Sequence, residues 1–153
     1  MSIAVQVQYA VSRTGIPLQV DFQRWVEAVL VNQSKEGEVT IRIADEAEVA
    51  ELNWRYRYKE GATNVLSFPF ELSAPLPFQI SLLGDLVICA PVVAREALEH
   101  AKEERAHWAH LVVHGVLHLL GFDHQQEAEA QQMEAMEITI LKSLGYPNPY
   151  ESA

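Results

Sequence analysis

Three histidines stand in the run His114-Gly-Val-Leu-His118-Leu-Leu-Gly121-Phe-Asp-His124. At about 3.6 residues per helical turn, His114 and His118 lie one above the other on the same face, and both imidazoles reach a single ion at about 2.0–2.1 Å. Gly121 tolerates positive φ, so the chain can leave the helix there and swing His124 back toward the same point. Three neutral nitrogen ligands leave a fourth position for water, the arrangement of catalytic zinc sites and not of closed structural ones. One zinc ion per chain is therefore expected. Zinc lowers the pKa of bound water to near 7, which makes hydroxide available for attack on a carbonyl or phosphorus centre. A lone helical histidine is ordinarily just a polar residue, but three placed around a helix-ending glycine point to metal. His110 and His107 lie about one and two turns earlier on nearly the same stripe and are assigned no ligand role.

The spacing from His114 to His124 equals that of the extended zinc peptidase motif H-E-x-x-H-x-x-G-x-x-H. In those peptidases the glutamate after the first histidine is the general base. Here that residue is Gly115, which can neither take nor give a side-chain proton, so peptide hydrolysis by that route is disabled. Cys89 is the only cysteine, which rules out an intrachain disulfide and a cysteine-based zinc finger.

The elements that must hold these residues follow from periodicity. Ile3 to Tyr9 and Val39 to Ile43 alternate with the two-residue period of half-buried strands. Between them Asp21 reads as the N-cap of a helix with Phe22, Val26, Val29 and Leu30 on one face. A second helix is expected after Asp45, with Val49, Leu52 and Trp54 or Tyr56 turned inward. Thr63 to Phe70 reads as a strand ended by Pro69. A loop through Pro75 and Pro77 then leads to a fourth strand, Leu82 to Cys89. From Pro91 the chain reads as two helices with a break near residues 100 to 103, the second reaching Leu120, and a last helix covers about Gln125 to Leu144. This predicts one α+β domain over residues 1–153. Its helices pack on a small mixed or mainly antiparallel sheet of four to five strands, with the zinc site at the end of a central helix lining a cleft.

With 49% hydrophobic and 21% charged residues, the composition is that of a globular chain. The N-terminus lacks the basic start and apolar run of a signal peptide, and no stretch approaches the roughly 20 apolar residues that span a bilayer, so a cytoplasmic, non-membrane protein is expected. The formal charge of −10 argues against indiscriminate binding to nucleic acid. Its distribution matters more. Arg55, Arg57 and Lys59 fall within five positions, while residues 96–137 carry nine acidic side chains against Lys102 and Arg105. This leaves a local basic lobe on an acidic body.

The run HGVLHLLGFDH resembles the signature of the YbeY family, bacterial zinc-dependent endoribonucleases of ribosomal RNA maturation. Leu52-Asn53, Tyr56-Arg57, Lys59 and Thr63-Asn64-Val65-Leu66-Ser67-Phe68-Pro69 resemble the family's upstream motif, and Gly84-Asp85 with Val87-Ile88 its next strand. The chain departs from the family at Tyr58, Glu60 and Ala62, where Gly, Asp and Pro are common, and at Phe122, where Tyr is. The resemblance implies cleavage of single-stranded RNA, processing of the 16S ribosomal RNA 3′ end and quality control of defective ribosomes, all in the cytoplasm. The acidic charge leaves specificity unexplained, so ribosome association or a protein adaptor is expected. Arg57 suits phosphodiester cleavage, because a guanidinium binds the nonbridging oxygens bidentately. Arg55 and Lys59 are candidates for RNA-backbone contact. Asp85 is a candidate acceptor behind a metal ligand, a base or a strand-end cap, and Asp123 a candidate for holding the tautomer of His124. Ser67 reads as packing in its strand. Two rival readings remain open. One is a peptidase or amidase in which a distant carboxylate replaces the missing glutamate, and the other is a non-enzymatic ribosome-associated protein with structural zinc.

Overall fold

Val39, Ile41 and Ile43 are fully buried while Thr40 and Arg42 between them are only half-buried, the alternation of a strand whose two faces meet different surroundings. The computed structural model describes residues 2–70 and 82–151; the expected loop through Pro75 and Pro77 lies outside them. In chain order the elements are β1 (Ile3–Tyr9), α1 (Gln19–Asn32), β2 (Gly37–Ala44), α2 (Glu46–Arg57), β3 (Val65–Pro69), β4 (Leu82–Cys89), α3 (Ala90–Glu99), α4 (Glu104–Leu119) and α5 (Glu127–Ser143).

The four strands form one mixed sheet in the order β1-β2-β4-β3. β1 with β2 and β2 with β4 are parallel, and β3 with β4 is antiparallel. The sheet is mixed as expected, with parallel pairs in the majority. The cause is legible in hindsight, since a helix between β1 and β2 is the connection that parallel strands require. One sheet face, with Ile41, Ile43, Leu86 and Ile88, packs under α1, α4 and α5 and shares a core with Phe22, Trp25, Trp108 and Leu117. On the other face α2 covers a smaller cluster of Val49, Leu66, Val87 and Cys89.

Three local expectations are corrected. Asp21 lies inside the first turn of α1, not at its N-cap; its carboxylate accepts from the Leu18 backbone N–H at 2.9 Å and from Arg105 Nη2 at 2.7 Å. On α2, capped by Asp45 as expected through the Glu48 N–H at 2.9 Å, Trp54 and Tyr56 point outward. Asn53 takes the buried position one turn after Val49, where its amide donates to Gly61 O at 2.9 Å. Cover ends before the last turn of the helix, where Tyr56 is 54% exposed and meets the Phe68 ring edge-on. β3 is shorter than Thr63 to Phe70, beginning at Val65 and ending on Pro69.

Candidate metal centre and its cleft

α4 is the most enclosed helix of the fold. Trp108, Leu111, Val112, Val113, Val116 and Leu117 are buried around most of its circumference, as expected of a helix that is apolar on several faces. The exception is the stripe His107, His110, His114, His118, which is only partly buried. The helix closes in a Schellman motif. Gly121 stands at φ +101°, its N–H bonds to His118 O at 3.0 Å, and the Phe122 N–H reaches back to Leu117 O at 3.1 Å. Phe122 then packs on the core, and the carboxylate of Asp123 accepts the His124 backbone N–H at 2.7 Å. This turn returns His124 to the other two histidines.

The Nε2 atoms of His114 and His118 face each other at 3.1 Å, close to the roughly 3.3 Å separating two ligands on a tetrahedral ion with bonds of about 2.0–2.1 Å. One ligand atom from each of His114, His118 and His124 lies within 4.8 Å of the others, and among the described residues this is the one such cluster of His, Cys, Asp or Glu. The donor set fits a metal ion. Burial, reinforced by the like charges of His114 and His124, pushes the pKa of His118 below its ordinary value, which favours the neutral form a ligand needs.

Behind this triad lies a residue that the sequence reading missed. Glu137 of α5 is 1% exposed. Its carboxylate is 3.2 Å from His114 Nδ1 and 2.6 Å from His110 Nε2, and it accepts the Tyr150 O–H at 2.8 Å. Burial alone would push this carboxyl up, but the hydrogen bonds and charges of His110 and His114 outweigh it and hold the pKa at about 2. A signal was present: Met133, Glu137, Ile140 and Leu141 form one helical stripe, and a carboxylate in an apolar stripe needs a partner. His107 is likewise committed, to Glu96 at 2.9 Å.

The opposite wall is made by β3 and the end of α2. Arg57 is exposed at the last residue of α2, donates from Nη2 to Ser67 O, and sits 5.2 Å from the centre of the Phe68 ring. Arg57, Lys59, Asn64 and Ser67 line a cleft of about 740 Å³ that His114, His118 and His124 close from the other side. Arg55 is exposed outside it. Asp123 reaches the cleft, but its bond is to a backbone N–H and not to the His124 ring. Asp85 is not brought to the histidines. It follows Gly84 and precedes Leu86, both of which face α4, so it points to the other side of the sheet and lines a separate groove with Gln8, Thr40, Arg42 and Tyr56.

Gly115 has a packing reason as well as a chemical one. A Cβ there would lie 2.8 Å from Leu86 Cδ2 and 3.4 Å from Ser67 Oγ, and the Ser67 hydroxyl donates to Gly115 O at 3.4 Å. The helix rests directly on β3 and β4, and its histidines share one cleft with Arg57.

Three comparisons relate the chain to known proteins. The family model described as endoribonuclease YbeY matches residues 8–145. A curated relative from Nitrosococcus oceani, named endoribonuclease YbeY, is 73% identical over 152 residues, 99% of each chain. The solution structure of TM1509 from Thermotoga maritima superposes with a TM-score of 0.59, covering 96% of this chain and 99% of that one; at 19% identity it speaks for the fold alone.

Proposed function

The chain belongs to the YbeY family of endoribonucleases, hydrolases acting on RNA, and on that premise we propose that it cuts single-stranded RNA in the cleft between α4 and β3, using one zinc ion held by His114, His118 and His124. The observation that carries this reading is the convergence of three imidazoles on one side of a cleft whose other side presents Arg57 and Lys59. Bound there, zinc supplies a Lewis acid for a phosphate oxygen and lowers the pKa of water.

The chain's own residues do the rest. Arg57 binds a nonbridging phosphate oxygen as charge develops on it; the bond from Nη2 to Ser67 O fixes the plane of the fork and leaves other N–H groups for the phosphate. Lys59 holds the backbone of the bound strand, and Arg55 extends that contact beyond the cleft. Asp123 shapes the turn that presents His124. Asp85, on the far side of the sheet, takes no part as a base. A preference for unpaired RNA is supported by Trp54 and Tyr58, 59% and 82% exposed and adjacent to the three basic residues, since aromatic faces there can stack on unpaired bases.

The biological setting is the 3′ end of 16S ribosomal RNA and the removal of defective ribosomes, in the cytoplasm. No helix among the described residues is long and apolar enough to cross a membrane. A chain with a formal charge of −10 gains little from general phosphate attraction, which supports delivery to its substrate by the ribosome or a protein adaptor. The peptidase reading finds no support, because the position of the missing glutamate is filled by Leu86. Structural zinc is disfavoured, because no fourth His, Cys, Asp or Glu joins the triad among the described residues.

The test compares wild type with His114→Ala on single-stranded RNA, duplex RNA and casein, with elemental analysis of both proteins. Metal-dependent cleavage of single strands only, lost with the metal in the variant, is expected. Cleavage of casein, or equal cleavage of duplex, would overturn the substrate assignment.

A further inference from the structure

We propose that Glu137 is a positioning residue for the metal centre: its buried carboxylate takes the Nδ1–H of His114, so that Nε2 faces the cleft with a free lone pair. The proposal rests on the metal reading of the cleft. Three donors converge on the two carboxylate oxygens, from His114 Nδ1 at 3.2 Å, His110 Nε2 at 2.6 Å and Tyr150 Oη at 2.8 Å. An ionised carboxylate accepts all three, whereas the acid form would have to spend one oxygen as a donor. A neutral imidazole that donates from Nδ1 is unprotonated at Nε2, and Nε2 is the atom facing His118 at 3.1 Å. A carboxylate behind a metal-bound histidine fixes the ring, selects the tautomer and raises its basicity.

The same contacts explain why the stripe of histidines does not continue as ligands. His110 lies one turn before His114, but its Nε2 is committed to Glu137. Tyr150, in the segment after α5, donates to the same oxygen as His110 and has its hydroxyl pKa pushed up by burial and by Glu137. The carboxylate is thus held from α4 on one side and from the C-terminal segment on the other. Neither His118 nor His124 has such a carboxylate partner among the described residues, so His114 is the ligand that Glu137 orients.

The experiment has two arms. In metal-free wild type, ¹⁵N NMR of the histidine rings at neutral pH should show His114 as the Nδ1–H tautomer; the Nε2–H tautomer, or an even mixture, would overturn the proposal. Chelator competition should then show Glu137→Gln, which keeps the side-chain volume, binding zinc about 10- to 100-fold more weakly than wild type, with the metal-free variant still melting cooperatively. Equal affinity for zinc would overturn it as well. If Glu137→Gln does not fold, the wild-type tautomer decides alone. If wild type binds no zinc, the metal reading of the cleft fails, while the tautomer still reports on Glu137.

Discussion

On the α4 side of the cleft, His114 is braced from behind by a carboxylate that is 1% exposed, on a helix buried around most of its circumference. On the α2 side, Arg57 occupies the final, exposed residue of its helix and touches β3 at Ser67 O and the Phe68 ring, and the next residue, Tyr58, is 82% exposed in the left-handed region at φ +58°. One wall has its geometry set before anything binds, as metal chemistry demands. The other is exposed at Arg57, Tyr58 and Lys59, which suits the proposed contact with a bound RNA strand. The comparison teaches where substitutions will act: on the first wall through occupancy and folding, on the second through turnover and RNA affinity.

The largest effect should come from the rigid wall. His118→Ala is expected to lose bound zinc while the domain stays folded, and RNA cleavage should fall on the order of 10³-fold or more, as the loss of several kcal/mol of metal-derived stabilisation requires. Full zinc occupancy by elemental analysis would remove His118 from the ligand set. Next is Gly115→Glu, which restores the peptidase spelling. Its side chain meets Leu86 and buries an unpaired charge, so a loss of about 3 kcal/mol or more in stability is expected, with no proteolysis of casein. A stable variant that cleaves casein would mean that the cleft accepts peptides.

Arg57→Lys probes the softer wall. An ammonium cannot reproduce two parallel hydrogen bonds, so turnover on single-stranded RNA should fall about 10²-fold with zinc content unchanged. Arg55→Lys, outside the cleft, should be nearly silent. Single-turnover rates equal to wild type for Arg57→Lys would reduce Arg57 to a surface charge. The smallest expected change is at Tyr58. Replacing it by glycine relieves a left-handed non-glycine residue, and stability should rise by about 1 kcal/mol in a denaturant titration. RNA affinity should move the opposite way, by about 1 kcal/mol or more if a base stacks on the ring. Unchanged affinity would confine Tyr58 to a local backbone role.

What was legible in the sequence follows the same division. β1 and β4 match their expected bounds, and α3 begins at Ala90, beside Pro91, and α4 ends at Leu119, just before Gly121, nearly as read, because strict alternation and such terminal signals act locally. The triad was legible for the same reason, since helical spacing places two of its members. Glu137 was legible only as a carboxylate in an apolar stripe that needs a partner; the partner was not, because His114 is 23 residues away and on another helix. The face that Asp85 serves was not legible, because one residue along a strand decides it, and only the packing of Leu86 under Gly115 shows which face meets α4. Trp54 or Tyr56 was expected inward from the helical period alone, which does not say where cover ends; both are exposed.

The most direct test of the central claim is metal removal and return. Wild type stripped by a chelator, with elemental analysis showing no residual metal, should lose cleavage of single-stranded RNA and regain it with one equivalent of zinc per chain. Undiminished cleavage by the metal-free protein would contradict the account at its centre.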